Sequence, residues 1–401
     1  MLHFCYIFAR YMVNDRAHSR ERIHKMSNTK KADPYRRLLK WTIALLVLLA
    51  LFATAYYLMD AYQKGQRDLE VQRISSENEA LVEEYNARLA EQTTSLDTGE
   101  TKTRPQPKES GWDVLDLSDF PVENPREVPV TRAELLQGGL LLVNRWHEMP
   151  GDFTLVEGEM KSVGTETSFR VGVQNASVTM LPAPIAALDE MVKDAKSEGI
   201  EHFIVRGGYR DAATQLRFWE NEIARHTDRT GEALIEVARK TVSYPGTSDY
   251  HTGFSAEIGV YDPNDSALNS TRFQDTAQAD WLNEHAWEYG FVFRFPVSGY
   301  PENTTVDKSY KTGIDLQINA YRYVGEPHAA VMHHLNLSLE EYIEYLIAHP
   351  HLAVYEDGEL RYEITRVRGG DEDTQIKVPG KAKDYLASTD NMGGLVVAAI
   401  Y

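Results

Sequence analysis

The chain has 401 residues, 42% hydrophobic and 25% charged, with a formal net charge of −18, enough apolar material to bury at least one large core. Residues 1–40 carry ten Lys and Arg against three acids, whereas the rest carries 32 basic against 57 acidic residues. That acidic excess argues against a nucleic-acid partner, whose phosphates it would repel.

The stretch "WTIALLVLLALFATAYYLM", Trp41 to Met59, is uncharged and of the length that spans a bilayer as a helix, with Trp41, Tyr56 and Tyr57 suited to the interfaces. It reads as a membrane anchor. A cleaved signal peptide is the competing reading, but the run is longer than a usual signal core and no small-residue cleavage site follows it directly. The basic residues before the span place the N-terminus in the cytoplasm and everything after residue 59 outside. Met26 opens "MSNTKKADPYRRLLK", a sufficient basic tail by itself, so residues 1–25 are a candidate over-long start. The single cysteine, Cys5, precedes the span, so the exported part must hold its fold without a disulfide, as suits a bacterial envelope protein.

After the span, Val71, Ile74, Asn78, Leu81 and Tyr85 fall on a heptad-like seam, suited to pairing two chains into a homodimer or to a lone stalk helix. "TTSLDTGETKTRPQPKESG" has almost nothing to bury and reads as a flexible spacer. Stalk and linker together cover residues 60–111.

From Trp112 the pattern is globular. "LLLVNRW" predicts a strand or buried turn. "PIAALDEMVKDAKSEG" predicts a helix with Ile185, Leu188, Met191, Val192 and Ala195 on its buried face. "HFIVRGGYR" predicts a strand running into a glycine turn, "DAATQLRFWENEIARH" and "QADWLNEHAWEYG" helices, "FVFRF" and "IDLQINAYRYV" strands, and "SLEEYIEYLIAH" a closing helix capped by Ser338. The last fifty residues, 352–401, hold the strand candidates "YEITRV", "TQIKV" and "GGLVVAAIY" and read as a β extension of a domain spanning 112–351. The class is α+β.

Four blocks, "RGGYRDAATQ", "YPGTSDYHTGFSAEIGV", "DWLNEHAWEYGFVFRFP" and "AYRYVGEPHA" with "NLSLEEYIEYL", resemble in residue and order the VanY-type D-alanyl-D-alanine carboxypeptidases. These are zinc peptidases that trim the terminal D-alanine from peptidoglycan stem peptides. The resemblance implies their fold, an antiparallel sheet with helices. It also implies that a His and an Asp in a block of form SxHxxGxAxD, and a later His, ligate zinc, while a Glu before that His is the general base.

Laid on that pattern, the chain departs from it at every catalytic position. Tyr250 and Glu257 stand at the first two ligand positions, Ala320 at the third and Gln317 at the base. A catalytic zinc takes three protein donors and leaves a fourth position to water. Of these three residues Glu257 alone is an ordinary donor; a phenol must lose a proton near pH 10 and a methyl offers nothing. An amide at 317 cannot accept a proton from water at neutral pH. Neither metal nor cofactor is therefore expected.

The competing reading is an active zinc enzyme in which His251 joins Glu257, helped by His328 or the His333-His334 pair. A one-residue slip on an extended segment turns a side chain to the other face, which argues against it. By the same resemblance, Arg210 and Ser248, with Tyr209 and Gln215, match substrate-contacting positions, and a guanidinium holds a carboxylate by paired hydrogen bonds. Pairing of Arg210 with a neighbouring acid is the other reading. Trp281, Trp287, Tyr289 and Phe291 read as core rather than sugar platform, and Gly207, Gly208, Gly253 and Gly290 as backbone turns.

The expectation is thus a single-pass bacterial cell-membrane protein, its domain outside, that binds peptidoglycan stem peptides or an envelope protein in a cleft without peptidase activity. An active carboxypeptidase and a scaffold of a wall-synthesis or sporulation complex are the alternatives.

Overall fold

The structure, a computed structural model, describes Leu39, residues 41–59, residues 61, 62, 65 and 69, and residues 102–401 apart from 156, 157 and 316. The cytoplasmic tail and the heptad seam from Val71 to Tyr85 lie outside the described residues. Trp41–Met59 is one α-helix, long and apolar enough to cross a membrane.

A central five-stranded sheet has the order β4 (Gly172–Val173), β6 (Phe203–Gly207), β7 (Ser255–Val260), β9 (Ala320–Tyr323) and β8 (Phe291–Phe293). Only the β4–β6 pair is parallel. One face packs on the helix Pro182–Ser197, which buries Ile185, Leu188, Met191, Val192 and Ala195, the face its periodicity predicts. These side chains meet Phe203, Val205, Ala256, Ile258 and Tyr321, and full burial of each large aliphatic one is worth about 1.5–3 kcal/mol. Helix Ala277–His285 adds Trp281 and Leu282 to the same core. The other sheet face carries Glu257, Ala320 and Arg322.

A second five-stranded sheet has the order β1 (Trp112–Asp116), β10 (His351–Glu356), β11 (Glu359–Arg368), β14 (Gly394–Ile400) and β13 (Asp384–Thr389), all antiparallel. The C-terminal strands thus share a sheet with the residues that follow the spacer, so 352–401 is not a free-standing extension. The end of the spacer also lies against this region: Lys102 pairs with Asp119 at 2.7 Å and the Gly111 N–H donates to Asp357 at 2.7 Å. Two small pairs complete the strands, β2 (Arg126–Val130) with β12 (Thr374–Val378) and β3 (Lys161–Ser162) with β5 (Thr179–Met180).

Helices Glu326–His334 and Leu339–Ala348 pack Ala329, Val331, Tyr342, Ile343 and Leu346 against Leu352, Val354, Ile364 and Val396 of the second sheet. Ser338 caps the latter helix in a reciprocal box with Glu341. The predicted "LLLVNRW" element is the buried turn of the two options. Leu140 to Val143 are buried without joining a strand, and the Asn144 side chain accepts from the Trp146 and His147 N–H groups, both at 3.0 Å.

Candidate active site

A 3₁₀ turn, Asp249–Thr252, delivers the first two residues of the site and ends at Gly253 in the left-handed region (φ 77°). A Cβ there would meet the Met160 methyl at 2.3 Å, so both conformation and space call for glycine. The turn is anchored by Asp249, which is fully buried among charges. Arg322 donates to its Oδ1 at 2.6 Å, Arg294 Nε lies at 3.3 Å and the Ser255 hydroxyl donates to Oδ2. Arg294 in turn makes two bonds to Glu340, at 3.0 and 2.7 Å, and Asn144 donates to the same carboxylate at 3.0 Å. Two guanidinium groups thus face two carboxylates. Burial opposes the charge on Asp249, but Arg322, Arg294 and Ser255 outweigh it and hold its carboxyl below the usual range.

Tyr250 and His251 leave this turn for different surroundings. The Tyr250 ring is 4% exposed and lies under the Arg210 guanidinium, whose central carbon is 3.7 Å from the ring centroid. Burial pushes the phenol far above its ordinary pKa, and Arg210 offsets this only in part, so no phenolate is accessible at neutral pH. The His251 ring is saturated on both sides. Its Nδ1 donates to the Arg210 carbonyl at 2.6 Å and its Nε2 accepts from the Gly246 N–H at 3.0 Å. This neutral tautomer leaves no lone pair for a metal.

Glu257 in β7 is the direct partner of Ala320 in β9, so the second and third ligand positions of the pattern do face each other across one ladder. Arg210 Nη2 donates to Glu257 Oε2 at 3.1 Å, and the guanidinium also lies 4.4 Å from the centroid of the Phe218 ring. Its other N–H groups have no partner among the described residues. Gly207 makes room for this pair: a Cβ would lie 3.3 Å from Arg210 Nη2 and 3.4 Å from Glu257 Oε2. Gly207 and Gly208 serve such close approach, whereas Gly253 and Gly290 adopt positive φ.

Gln317 Nε2 donates to the Thr241 carbonyl at 2.7 Å. Gln215 is buried, its amide nitrogen on the Ser243 carbonyl at 2.7 Å, a scaffold bond beside the cleft. Ser248 is buried at the head of the turn, and the Tyr209 N–H donates to the Thr179 carbonyl at 2.7 Å. His328 is in the core, bonded to the Tyr342 hydroxyl at 2.8 Å. His333 stacks on Trp287 and His334 on Trp112, with centroids 4.8 and 4.9 Å apart. Among the described residues no three His, Cys, Asp or Glu side chains converge as a metal site would require. The donors at the three ligand positions, a protonated phenol, a carboxylate already on a guanidinium and a methyl, do not fit a zinc ion.

Asp249, Arg294, Arg322, Glu340 and Phe218 are the neighbours of the candidate site that sequence reasoning missed. For Arg294, Arg322 and Glu340 the signal was a charge inside an apolar block, "FVFRFP", "AYRYVG" and "SLEEYIEYL" respectively.

Residues 179–312 match the family described as VanY: D-alanyl-D-alanine carboxypeptidase. The chain is 30% identical over 279 residues to a D-alanyl-D-alanine carboxypeptidase of Enterococcus faecium, covering 69% of this chain and 79% of that one. It is 32% identical over 205 residues to the putative carboxypeptidase YodJ of Bacillus subtilis, covering 51% and 67%. Among solved structures it is similar in fold to the vancomycin resistance D,D-dipeptidase VanXYg in complex with a D-Ala-D-Ala phosphinate analogue. That match has a TM-score of 0.54 and 22% identity over 69% of this chain and 99% of the other.

Proposed function

The chain belongs to the VanY family of D-alanyl-D-alanine carboxypeptidases, and from that premise we propose that it is a binding member of the family without peptidase activity. Its cleft takes the carboxylate terminus of a peptidoglycan stem peptide and does not cleave it. One observation carries this reading: the Arg210 guanidinium, a fixed positive charge, lies against the residues at two of the three ligand positions, Tyr250 and Glu257. The third is a methyl. An amide held on Thr241 replaces the base.

Binding then rests on Arg210. It keeps N–H groups without partners among the described residues, and its position between Phe218 and Tyr250 limits the rotamer entropy that a ligand would have to remove. An incoming carboxylate shares the guanidinium with Glu257, whose side chain is 31% exposed. Helix Trp41–Met59 supports anchoring in the cell membrane with the domain on the outer side, and the seam from Val71 to Tyr85 suits pairing of two chains.

The test uses the full chain in detergent with a pentapeptide ending in D-alanyl-D-alanine. The expected result is no D-alanine release with added zinc, and calorimetric binding that is lost when the terminal carboxylate is amidated. Release that a chelator abolishes would return the protein to the active enzymes. Binding neither to the free nor to the amidated peptide would favour a scaffold that recognises an envelope protein.

A further inference from the structure

The sheet face that carries Glu257 holds a second arginine. The pairing of β6 with β7 slips between Val205 and Gly207: Val205 pairs with Ile258, Gly207 with Glu257, and Arg206 has no partner of its own. Such a bulge re-aims the side chain it carries. Arg206 lies across Gly259, the next residue of β7 on the Glu257 face, since side chains alternate along a strand. A Cβ at position 259 would meet Arg206 Nε at 2.4 Å and its Cδ and Cζ at 3.3 Å, so the glycine makes the room in which this side chain lies.

One bond fixes the guanidinium there. Arg206 Nη2 donates to the Val260 carbonyl at 3.0 Å, and no carboxylate pairs with it among the described residues. That is notable in a chain where acids outnumber bases 57 to 32 after residue 40. The residue is exposed, so its remaining N–H groups are open to an anion. A guanidinium meets a carboxylate with two parallel donors, which an ammonium cannot do.

Spacing narrows the ligand. Glu257 and Gly259 are two residues apart on one strand, about 7 Å at the usual rise. Arg210, bonded to Glu257, and Arg206, over Gly259, therefore stand about two residues of extended chain apart. Resting on the cleft reading above, in which Arg210 takes the terminal carboxylate, we propose that Arg206 takes a second carboxylate, borne by the side chain two residues before the terminus. In a stem pentapeptide that residue is the diamino acid. meso-Diaminopimelate carries a free carboxylate on its side chain and lysine carries none, so the cleft prefers diaminopimelate stems. Ile204, the direct partner of Gly259 and only partly buried, offers apolar surface to the methylenes of that side chain.

Calorimetry at low ionic strength on the full chain in detergent compares three stem pentapeptides ending in D-alanyl-D-alanine. Their third residue is meso-diaminopimelate, the same residue with its side-chain carboxylate amidated, or lysine. The first is expected to bind about fivefold tighter than the others, the upper end for an exposed ion pair. Arg206→Ala should bring it down to their level, and Arg206→Glu should place it below the lysine peptide. Gly259→Ala, whose Cβ displaces the guanidinium, should act as Arg206→Ala does without removing a charge. Equal binding of the three peptides by the native chain, or a preference that survives Arg206→Ala, overturns the proposal. So does a preference that follows the carboxylate of the second residue instead, read with a D-isoglutamine peptide. Binding of all three alike leaves the cleft reading standing, whereas binding of none overturns both.

Discussion

Glu257 and Ala320 are direct partners across the β7–β9 ladder, so a carboxylate and a methyl occupy the places from which two zinc ligands would converge. The ladder pairs them directly, and the turn that presents Tyr250 is tied through Asp249 to Arg294 and Arg322. Laid on the family pattern, the positions converge, but a protonated phenol and a methyl are not zinc donors.

Restoring the donors should restore the metal. The quadruple variant Tyr250→His, Glu257→Asp, Gln317→Glu, Ala320→His is expected to carry about one zinc per chain by elemental mass spectrometry, and the native chain far less. Equal metal in the two proteins would mean that zinc binds elsewhere.

Arg210→Ala should weaken binding of a carboxylate-terminated peptide about tenfold to a hundredfold, the loss of a charge-assisted bond worth about 1.5–3 kcal/mol. Calorimetry on native and variant chains checks it. Arg210→Lys should recover only part, because an ammonium cannot present two parallel donors.

Asp249→Ala leaves Arg322 without its carboxylate in a buried site and should cost about 3–5 kcal/mol of stability, read by urea denaturation. Because the folded carboxyl is held below its ordinary 3.8, the unfolded chain takes up that proton first. This contribution is complete above pH 4 and is lost as the pH falls through the depressed value.

His328 should give the protein a second acid dependence. Burial lowers its pKa from 6.5 to about 3, so between those values the unfolded state binds a proton that the folded state refuses. Stability should fall as the pH drops through this window, by on the order of 5 kcal/mol in all. His328→Leu should make that slope shallower without removing it, because burial also lowers His333, to about 4, and His147, His251 and His334, as urea midpoints from pH 7 to pH 4 would reveal.

Much of the fold was legible in the residues. The helix Pro182–Ser197 buries the five side chains its period predicts, and Ser338 caps the helix it precedes. Strands β10 and β13 were not read, although each closes a short hairpin with its neighbour, β10 with β11 across Asp357 and Gly358 and β13 with β14 across residues 390–393; a short apolar run does not by its period alone declare itself a strand. The pairing of β1 with β10, more than two hundred residues away in sequence, is non-local, which is why β1 was not joined to the C-terminal strands.

For the site, the sequence by itself determined which donors exist: Tyr250, Glu257, Gln317 and Ala320 follow from spacing laid on a family pattern. Chemistry of that kind is local, since a methyl cannot bind a metal wherever it is placed. Only the tertiary structure decided where the charges go. It puts Arg210 on Glu257, closes both nitrogens of His251 and sends His328 into the core, because contacts between residues tens of positions apart depend on which strands pair and which faces they turn toward one another.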